Sequence, residues 1–234
     1  MHRKKNNNRK PPPCPDPDRY HWVESEDGGY WRKNKASKAV NASFKKKTKE
    51  ISEISPFGAR LRRLLADFTV DLRMGRLGNR FNKALFTSLR ETGKIMPQYL
   101  KGIEFQKDHF LSRLVHSGYF ARHDKAHKTF TVTIPLVKNN TIKKISSLLT
   151  GYQFTAILIY QPRGAGSEPE LISTGSSVYP FATNEVNCTL TLQIPSKPQW
   201  WILILRADTY EGKILALHHR HRGMAILDGS GNVR

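Results

Sequence analysis

Apolar residues recur at helical spacing in the segment that follows Ser55 and Pro56. Serine as an N-cap and proline at the first helical position predict that ordered structure begins there, as a helix. The apolar positions form a single stripe, which is typical of an amphipathic helix. The stripe consists of Phe57, Leu61, Leu64, Leu65, Phe68 and Leu72. Three basic residues lie off this stripe, namely Arg60, Arg62 and Arg63.

The segment 73–90, RMGRLGNRFNKALFTSLR, predicts a second amphipathic helix. At 100° per residue its apolar residues occupy one arc, and its basic residues occupy the opposite arc. Gly93 follows as the predicted C-cap. A break near residues 69–72 would let the two helices form a hairpin or a bent pair. The apolar arc holds Met74, Leu77, Phe81, Ala84, Leu85 and Leu89, and the basic arc holds Arg73, Arg76, Arg80, Lys83 and Arg90.

From residue 100 onward the pattern changes to short runs rich in β-branched and aromatic residues, separated by turn residues. In 187–195, NCTLTLQIP, apolar and polar residues alternate, which predicts a strand with one buried and one wet side. The longer predicted strands are 130–136, 152–162, 187–195 and 200–210, and the shorter ones are 103–106, 117–121, 171–174, 213–217 and 223–227. Strands without intervening helices favour an antiparallel sandwich, here of about seven to nine strands.

The N-terminal residues are polar, basic and rich in proline, with scattered aromatics. Residues 1–18 bury too little apolar surface to offset the entropy of ordering, so disorder is predicted. Residues 19–50 are predicted to lie over the surface without regular structure. The fold class is therefore α+β: a disordered or extended basic arm (1–50), a helical hairpin (51–98) and a β-sandwich domain (99–234).

Charge is distributed unevenly along the 234 residues, whose formal net charge is +20. Residues 1–150 hold 32 Lys and Arg against 13 Asp and Glu, whereas residues 151–234 hold 7 against 6. A basic front and a neutral back suggest contact with a polyanion, either nucleic acid (DNA or RNA), an anionic membrane surface or an acidic protein surface. The alternative is that basic surface only maintains solubility.

The predicted polyanion-binding residues are the basic positions of the two helices. No acidic residue occurs between Asp71 and Glu91, whereas ordinary exposed helices mix the two signs. Arginine offers a bidentate fork to phosphate oxygens, so such a row can follow a nucleic-acid backbone. A merely solvated helix face is the competing interpretation. The predicted set is Arg60, Arg62, Arg63, Arg73, Arg76, Arg80, Lys83 and Arg90.

Other motifs give weaker signals. GRLG (75–78) matches the spacing of a KH-domain GxxG loop but lacks the preceding strand, so its glycines are assigned to close packing or a bend. His123 and His127 lack the glutamate of HExxH, and HHRHR (218–222) either extends the anion-binding surface or protects an edge strand. Cys14 and Cys188 are interpreted as free thiols. The sequence thus predicts no catalytic residue, no metal and no cofactor.

No apolar run is long enough to span a membrane, and the basic start lacks an apolar segment typical of a secretion signal. A cytoplasmic location is the resulting expectation. Trp200 and Trp201 precede a long apolar run, which favours core positions over glycan binding.

The block 42–106 resembles an uncharacterised conserved protein family of Bacteroidota. In that family such a helical segment ends in a Gly-aromatic-Glu-aromatic-like step and is followed by a β-rich half. Here the step is Gly102-Ile103-Glu104-Phe105. The resemblance implies the same layout, helices and then a sandwich, and it implies no activity and no binding residue.

We therefore predict a non-enzymatic binding or assembly protein. The basic arm and helices would contact a polyanion, above all nucleic acid, without sequence specificity, because no base-reading motif is present. The alternative is a structural β-sandwich subunit of a surface or particle assembly, with the sandwich forming a homo-oligomer.

Overall fold

The computed structural model describes residues 13–14, 20–23, 30–33, 42–164, 166–183 and 186–233. Apart from residues 13 and 14, the disorder predicted for residues 1–18 lies outside the described residues. The chain divides into two compact units, residues 1–49 and residues 50–234. The division predicted between residues 98 and 99 falls inside the second unit.

The first unit contains a β-hairpin of strands β1 (Tyr20–Val23) and β2 (Tyr30–Lys33), which are antiparallel. Trp22 lies directly opposite Trp31, and their ring centroids are 5.2 Å apart. Cross-strand aromatic pairs stabilise such hairpins. The prediction of no regular structure in residues 19–50 is therefore wrong for these two strands.

The first helix, α1 (Ala42–Leu64), begins well before the predicted start, and Pro56 lies inside it. Pro56 is exposed, so its ring lies on the solvent side of the helix. Ile54 is completely buried and extends the apolar stripe by one turn toward the N-terminus. The predicted start at Ser55 and Pro56 is wrong because this burial continues the helix through the proline.

The helical segments that follow are short except for one. They are α2 (Ala66–Thr69), α3 (Leu77–Thr92), a 3-10 turn (Pro97–Leu100) and α4 (Leu111–Leu114). The predicted break near residues 69–72 is confirmed. Gly93 is confirmed as the C-cap of α3, with φ of 70° and its N–H donating to the carbonyl of Leu89.

The second helix, predicted to begin at residue 73, begins at Leu77, so the first two residues of the predicted basic arc precede it. Gly75 has φ of 55° and turns the chain, so Arg73 and Arg76 lie in the turn that precedes α3. Gly78 lies under the guanidinium of Arg62, whose Nη1 takes up the space that a Cβ at this position would need. The two glycines thus serve a bend and a close helix contact, as predicted.

The strands of the second unit form two antiparallel sheets among the described residues. They are β3 (Phe120–Asp124), β4 (Thr129–Pro135), β5 (Gly151–Pro162), β6 (Glu170–Gly175), β7 (Tyr179–Pro180), β8 (Asn187–Gln193), β9 (Pro198–Glu211), β10 (Ile214–Leu215) and β11 (Arg222–Gly231). In the larger sheet, β5 and β9 pair at the centre, β6 and β7 flank β5, and β10 and β11 flank β9. The smaller sheet has the order β3-β4-β8.

The larger sheet separates two hydrophobic cores, which gives the second unit three layers. On β9, Trp200, Ile202 and Ile204 pack against α1 and α3. The alternating residues Trp201, Leu203 and Leu205 pack against the smaller sheet. The α+β class is confirmed, and the prediction that both tryptophans are core residues is confirmed by their burial.

The predicted strands overlap observed strands except at one segment, although 117–121 shares only residues 120–121 with β3, and β7 was not predicted. Residues 103–106 form only a single bridge, from Glu104 to Ala225, beside β11. In β8 the alternation is confirmed: Cys188, Leu190 and Leu192 are buried, and the residues between them are exposed.

Candidate polyanion-binding surface

The outward side of the helices displays most of the predicted basic residues. Helix α3 turns Leu77, Phe81 and Leu85 toward the core, and its amphipathic pattern leaves the opposite side to solvent. All but one of the eight predicted cations are exposed. These are Arg60, Arg62, Arg63, Arg73, Arg76, Lys83 and Arg90, and we call them the helical basic surface.

Arg80 is the exception, because its guanidinium is used inside the fold. Its Nη2 donates to the carbonyls of Phe105 (2.8 Å) and Met74 (3.0 Å), and its Nη1 donates to the carbonyl of Gln106 (3.4 Å). Burial lowers the pKa of Arg80, with the charge of Glu104 acting in the opposite direction. This arginine fastens the turn before α3 to the segment after the 3-10 turn, and we leave it out of the helical basic surface.

Two members of the helical basic surface have carboxylate partners. Arg60 lies 3.5 Å from Glu168, and both side chains are largely exposed. Arg90 lies 3.2 Å from Glu50 and stands over the ring of Phe86. The exposed pair of Arg60 and Glu168 contributes little to stability and is screened by salt, so it competes only weakly with an incoming anion. The Glu50 side chain is only 12% exposed, so its pair with Arg90 is screened less.

The remaining members carry charge that no carboxylate neutralises within the part of the chain that the structure describes. Arg63 and Lys83 project from α1 and α3, Arg73 and Arg76 from the turn between the helices, and Arg62 lies across Gly78. The turn is held by Gln106, whose Oε1 accepts the backbone N–H of Arg73 at 3.3 Å. The cations thus come from two helices and one braced turn, not from a single helix face.

The HHRHR segment folds as a 3-10 turn (His219–His221), so it does not form the edge strand that one interpretation required. The ring of His219 lies 4.4 Å from that of His218 and 5.1 Å from that of His109. Burial, then the charges of His218, His109 and Arg73, lower the pKa of His219. Burial and the charge of Arg220 lower the pKa of His221. The lowered pKa values favour the neutral form of these two rings.

Sequence patterns missed a network of two arginines and two aspartates, of which all but Asp71 are buried. Arg206 grips Asp208 with Nε and Nη2, both at 2.7 Å, and the same Nη2 lies 2.7 Å from Asp71. Arg222, opposite Asp208 on β11, contacts Asp71 through Nη1 and donates to the carbonyl of Ala216 at 2.6 Å. Burial lowers the pKa of Arg206, but the hydrogen bonds and charges of Asp208 and Asp71 outweigh burial and raise it.

This network is internally neutral, and it ties α2 to the central sheet. Arg206 Nη1 also donates to the carbonyl of Phe68 at 2.5 Å. The signal in the sequence was the pair Arg206 and Asp208, two charges inside an otherwise apolar run. Strand alternation places them on the same side of β9.

The described residues contain no group of three or more His, Cys, Asp or Glu side chains that could hold a metal ion. His123 lies on β3, and His127 sits in the following turn with Nδ1 2.9 Å from Asp124. Among the helices that the structure describes, none is long and apolar enough to cross a membrane. No protein-family model, curated protein or solved structure matches the chain.

Proposed function

We propose that this protein is a non-enzymatic binder of polyanions, above all nucleic acid, and that it contacts the phosphate backbone through the helical basic surface. The supporting observation is the five cations without a carboxylate partner in the described part of the chain. They are Arg62, Arg63, Arg73, Arg76 and Lys83.

Several exposed cations without carboxylate partners favour a ligand with repeated negative charge. Each phosphate contact releases condensed counterions, so affinity for duplex DNA falls with salt with a slope of about 0.9 per phosphate neutralised. Arginine forks match phosphate oxygens, and the sequence carries no recognised base-reading motif. Binding would therefore fix position on the backbone without selecting a sequence.

The test replaces Arg63, Arg73, Arg76 and Lys83 together by Gln and measures binding of a fluorescent DNA duplex by anisotropy across a salt series. The expected result is a salt slope that is smaller by about 0.9 for each phosphate that the variant no longer neutralises. A matched control replaces four exposed cations of the sheets and their loops, Arg122, Lys138, Lys144 and Lys213, by Gln.

The control carries the same change in net charge but leaves the helical basic surface intact. If both variants lose affinity and slope equally, net charge and not this surface drives binding, and the proposal is wrong. Arg80 stays unchanged in both proteins because its role is internal.

The alternative, a structural subunit of an assembly, is favoured by one feature of the smaller sheet. Strand β3 lies at the edge of that sheet, and Phe120 on it is 68% exposed. Exposed edge strands can pair with another chain. Concentration-dependent oligomers that persist in the four-residue variant, without DNA binding by the unmodified protein, would support assembly instead.

A further inference from the structure

A second basic site lies at one end of the sandwich. It shares no residue and no secondary-structure element with the helical basic surface. It is a cleft of about 400 Å³. The β3–β4 turn contributes Lys125 and Lys128, the β8–β9 turn contributes Lys197, the loop after β5 contributes Arg163, and Trp201 of β9 lines it as well. Pockets that bind small ligands have volumes of this order.

The lining of the cleft gathers four cations. Among the described residues, no carboxylate lines it. Across the same residues, none of Lys125, Lys128, Arg163 and Lys197 forms an ion pair with a carboxylate. Lys128 Nζ donates to the carbonyl of Pro195 at 3.0 Å, which fixes the ammonium group but does not cancel its charge. Four like charges around one cavity repel each other, and an anionic ligand relieves that repulsion.

The turn that presents the lysines is held by hydrogen bonds. The Oδ1 atom of Asp124 accepts the N–H of Ala126 at 2.9 Å and that of His127 at 3.2 Å, and its Oδ2 contacts the His127 ring at 2.9 Å. Lys128 has φ of 54°, in the left-handed region. The backbone bearing the two lysines is thus set in place before a ligand arrives, which lowers the entropic cost of binding.

The floor of the cleft is aromatic. The His123 ring stacks on Phe130 with centroids 4.1 Å apart and planes 6° from parallel. The Trp201 ring lies 5.2 Å from His123 and 4.7 Å from Phe130, and both His123 and Trp201 line the cleft. Burial, then the charge of Lys125, lowers the pKa of His123, with Asp124 and Asp228 acting in the opposite direction. Aromatic rings beside a cationic rim form the type of surface on which nucleobases stack.

We propose that this cleft binds a phosphorylated nucleoside unit, with the phosphate against the lysines and Arg163 and the base against the aromatic floor. The unit could come from a free nucleotide or from one nucleotide of a single strand. The cleft shares no residue with the helical basic surface, so it can bind this ligand even if that surface binds nothing.

Titration calorimetry at low salt tests the cleft with ADP, pyrophosphate and adenosine as separate probes. The expected result is that ADP binds more tightly than either pyrophosphate or adenosine, because only ADP offers both phosphate and base. The variant Lys125→Gln with Lys197→Gln should weaken ADP binding by at least about tenfold, since hydrogen bonds to charged groups are removed. The matched control, Lys138→Gln with Lys213→Gln, changes net charge equally and should bind ADP as the unmodified protein does.

Each other outcome overturns the proposal. If ADP does not bind, or if both variants weaken its binding equally, the cleft is not the binding site. If pyrophosphate and ADP bind with equal affinity, the cleft does not recognise a nucleoside. All four lysines are exposed, so the variants should keep the fold, and thermal melts of each confirm it.

The source of the unit follows from a parallel titration with a short single strand that carries a 5′-phosphate. Tighter binding of the strand than of ADP identifies a nucleic acid, and the reverse identifies a free nucleotide; either result supports the cleft. The variant of Arg63, Arg73, Arg76 and Lys83 should bind ADP unchanged, so a failure of the helical basic surface is distinguishable from a failure of the cleft.

Discussion

The guanidinium of Arg80 shows how a residue in a basic pattern can serve the interior of a fold. Its neighbours Arg76 and Lys83 are exposed, while Arg80 donates to the carbonyls of Met74, Phe105 and Gln106. Those carbonyls belong to segments without regular secondary structure, so they lack partners in a helix or a sheet and need a donor from elsewhere.

Replacing Arg80 by Gln should lower the free energy of unfolding by about 2 kcal/mol, because buried carbonyls lose a charged donor. Urea denaturation measures this change, and Lys83→Gln, an exposed cation one turn further along α3, should change it by less than about 0.5 kcal/mol. Equal effects of the two substitutions would refute the structural role of Arg80. The salt slope of DNA binding should be the same in Arg80→Gln as in the unmodified protein.

The sequence predicted that most of these cations are exposed but not which one is internal. A helical pattern reports the direction of a side chain relative to its own helix, and the partners of Arg80 lie in the turn before α3 and in residues 105–106. The same limit hid the pairing of Asp71 with Arg206 and Arg222, which are distant in sequence. Such contacts arise only when the tertiary fold brings separate segments together.

At the scale of elements, the residue pattern correctly predicted the end of α3 and the buried face of β8, but it mispredicted where α1 and α3 begin. Gly93 could be identified as a C-cap because the left-handed conformation favours glycine, and β8 could be identified because its alternation is regular. The start of α1 was mispredicted because proline was taken to mark the first helical position. Pro56 instead lies on the exposed side in the middle of α1, and buried Ile54 continues the apolar stripe before it. The start of α3 was mispredicted because helical periodicity continued through the turn at Gly75.

The turn between β3 and β4 should make the stability of the fold depend on pH in the acid range. A hydrogen bond from the His127 side chain, then the N–H groups of His127 and Ala126, lower the pKa of Asp124 from 3.8 to about 2, against a smaller opposing effect of burial. A carboxylate with a lowered pKa in the folded state stabilises the fold above its ordinary pKa, and this stabilisation is lost as pH falls toward the lowered value.

Accordingly, Asp124→Asn should lower the melting temperature at pH 5 and have a smaller effect at pH 2. Calorimetric melts of both proteins across this range measure the difference. A difference that stays constant with pH, or grows on acidification, would show that the carboxylate charge does not hold the turn. Because the same turn presents Lys125 and Lys128, the variant should also weaken ADP binding at neutral pH if the cleft binds nucleotides.

At the scale of the second unit, the larger sheet joins the two hydrophobic cores into one structure. Ile202 faces the helices and Leu203 faces the smaller sheet, and both are closed to solvent. A change on one side of β9 displaces a strand that the other side also needs. The sequence predicted helices and sandwich as successive domains because composition changes near residue 98, and burial on both faces of β9 becomes visible only in three dimensions.

Ile202→Ala and Leu203→Ala should each cost about 3 kcal/mol of unfolding free energy through reduced burial and the cavity left behind. Each variant should unfold in one transition, with helical circular dichroism and tryptophan fluorescence changing together. If Ile202→Ala melted the helices first and left the sheets intact, the two cores would be independent and the three-layer coupling would be refuted.

The basic surfaces of the molecule differ in how far they could be foreseen. The helical basic surface comes from neighbouring positions in the chain, so its composition was visible as a run without acids. The cleft draws Lys125, Arg163 and Lys197 from three separate loops, and no spacing rule connects them. Loops that converge at the end of a sandwich are a common place for binding residues, and only topology brings these together.

Most side chains of strand β9 are buried, so few substitutions should be tolerated there. Residues 200–209 are all buried, with ten successive side chains divided between two packed layers. In a lineage of such proteins, mutations on exposed helices and loops would accumulate while this decapeptide changed slowly and mostly by exchange among residues of similar volume. The segment WWILILRADT is therefore the part of the chain in which common ancestry should remain visible longest.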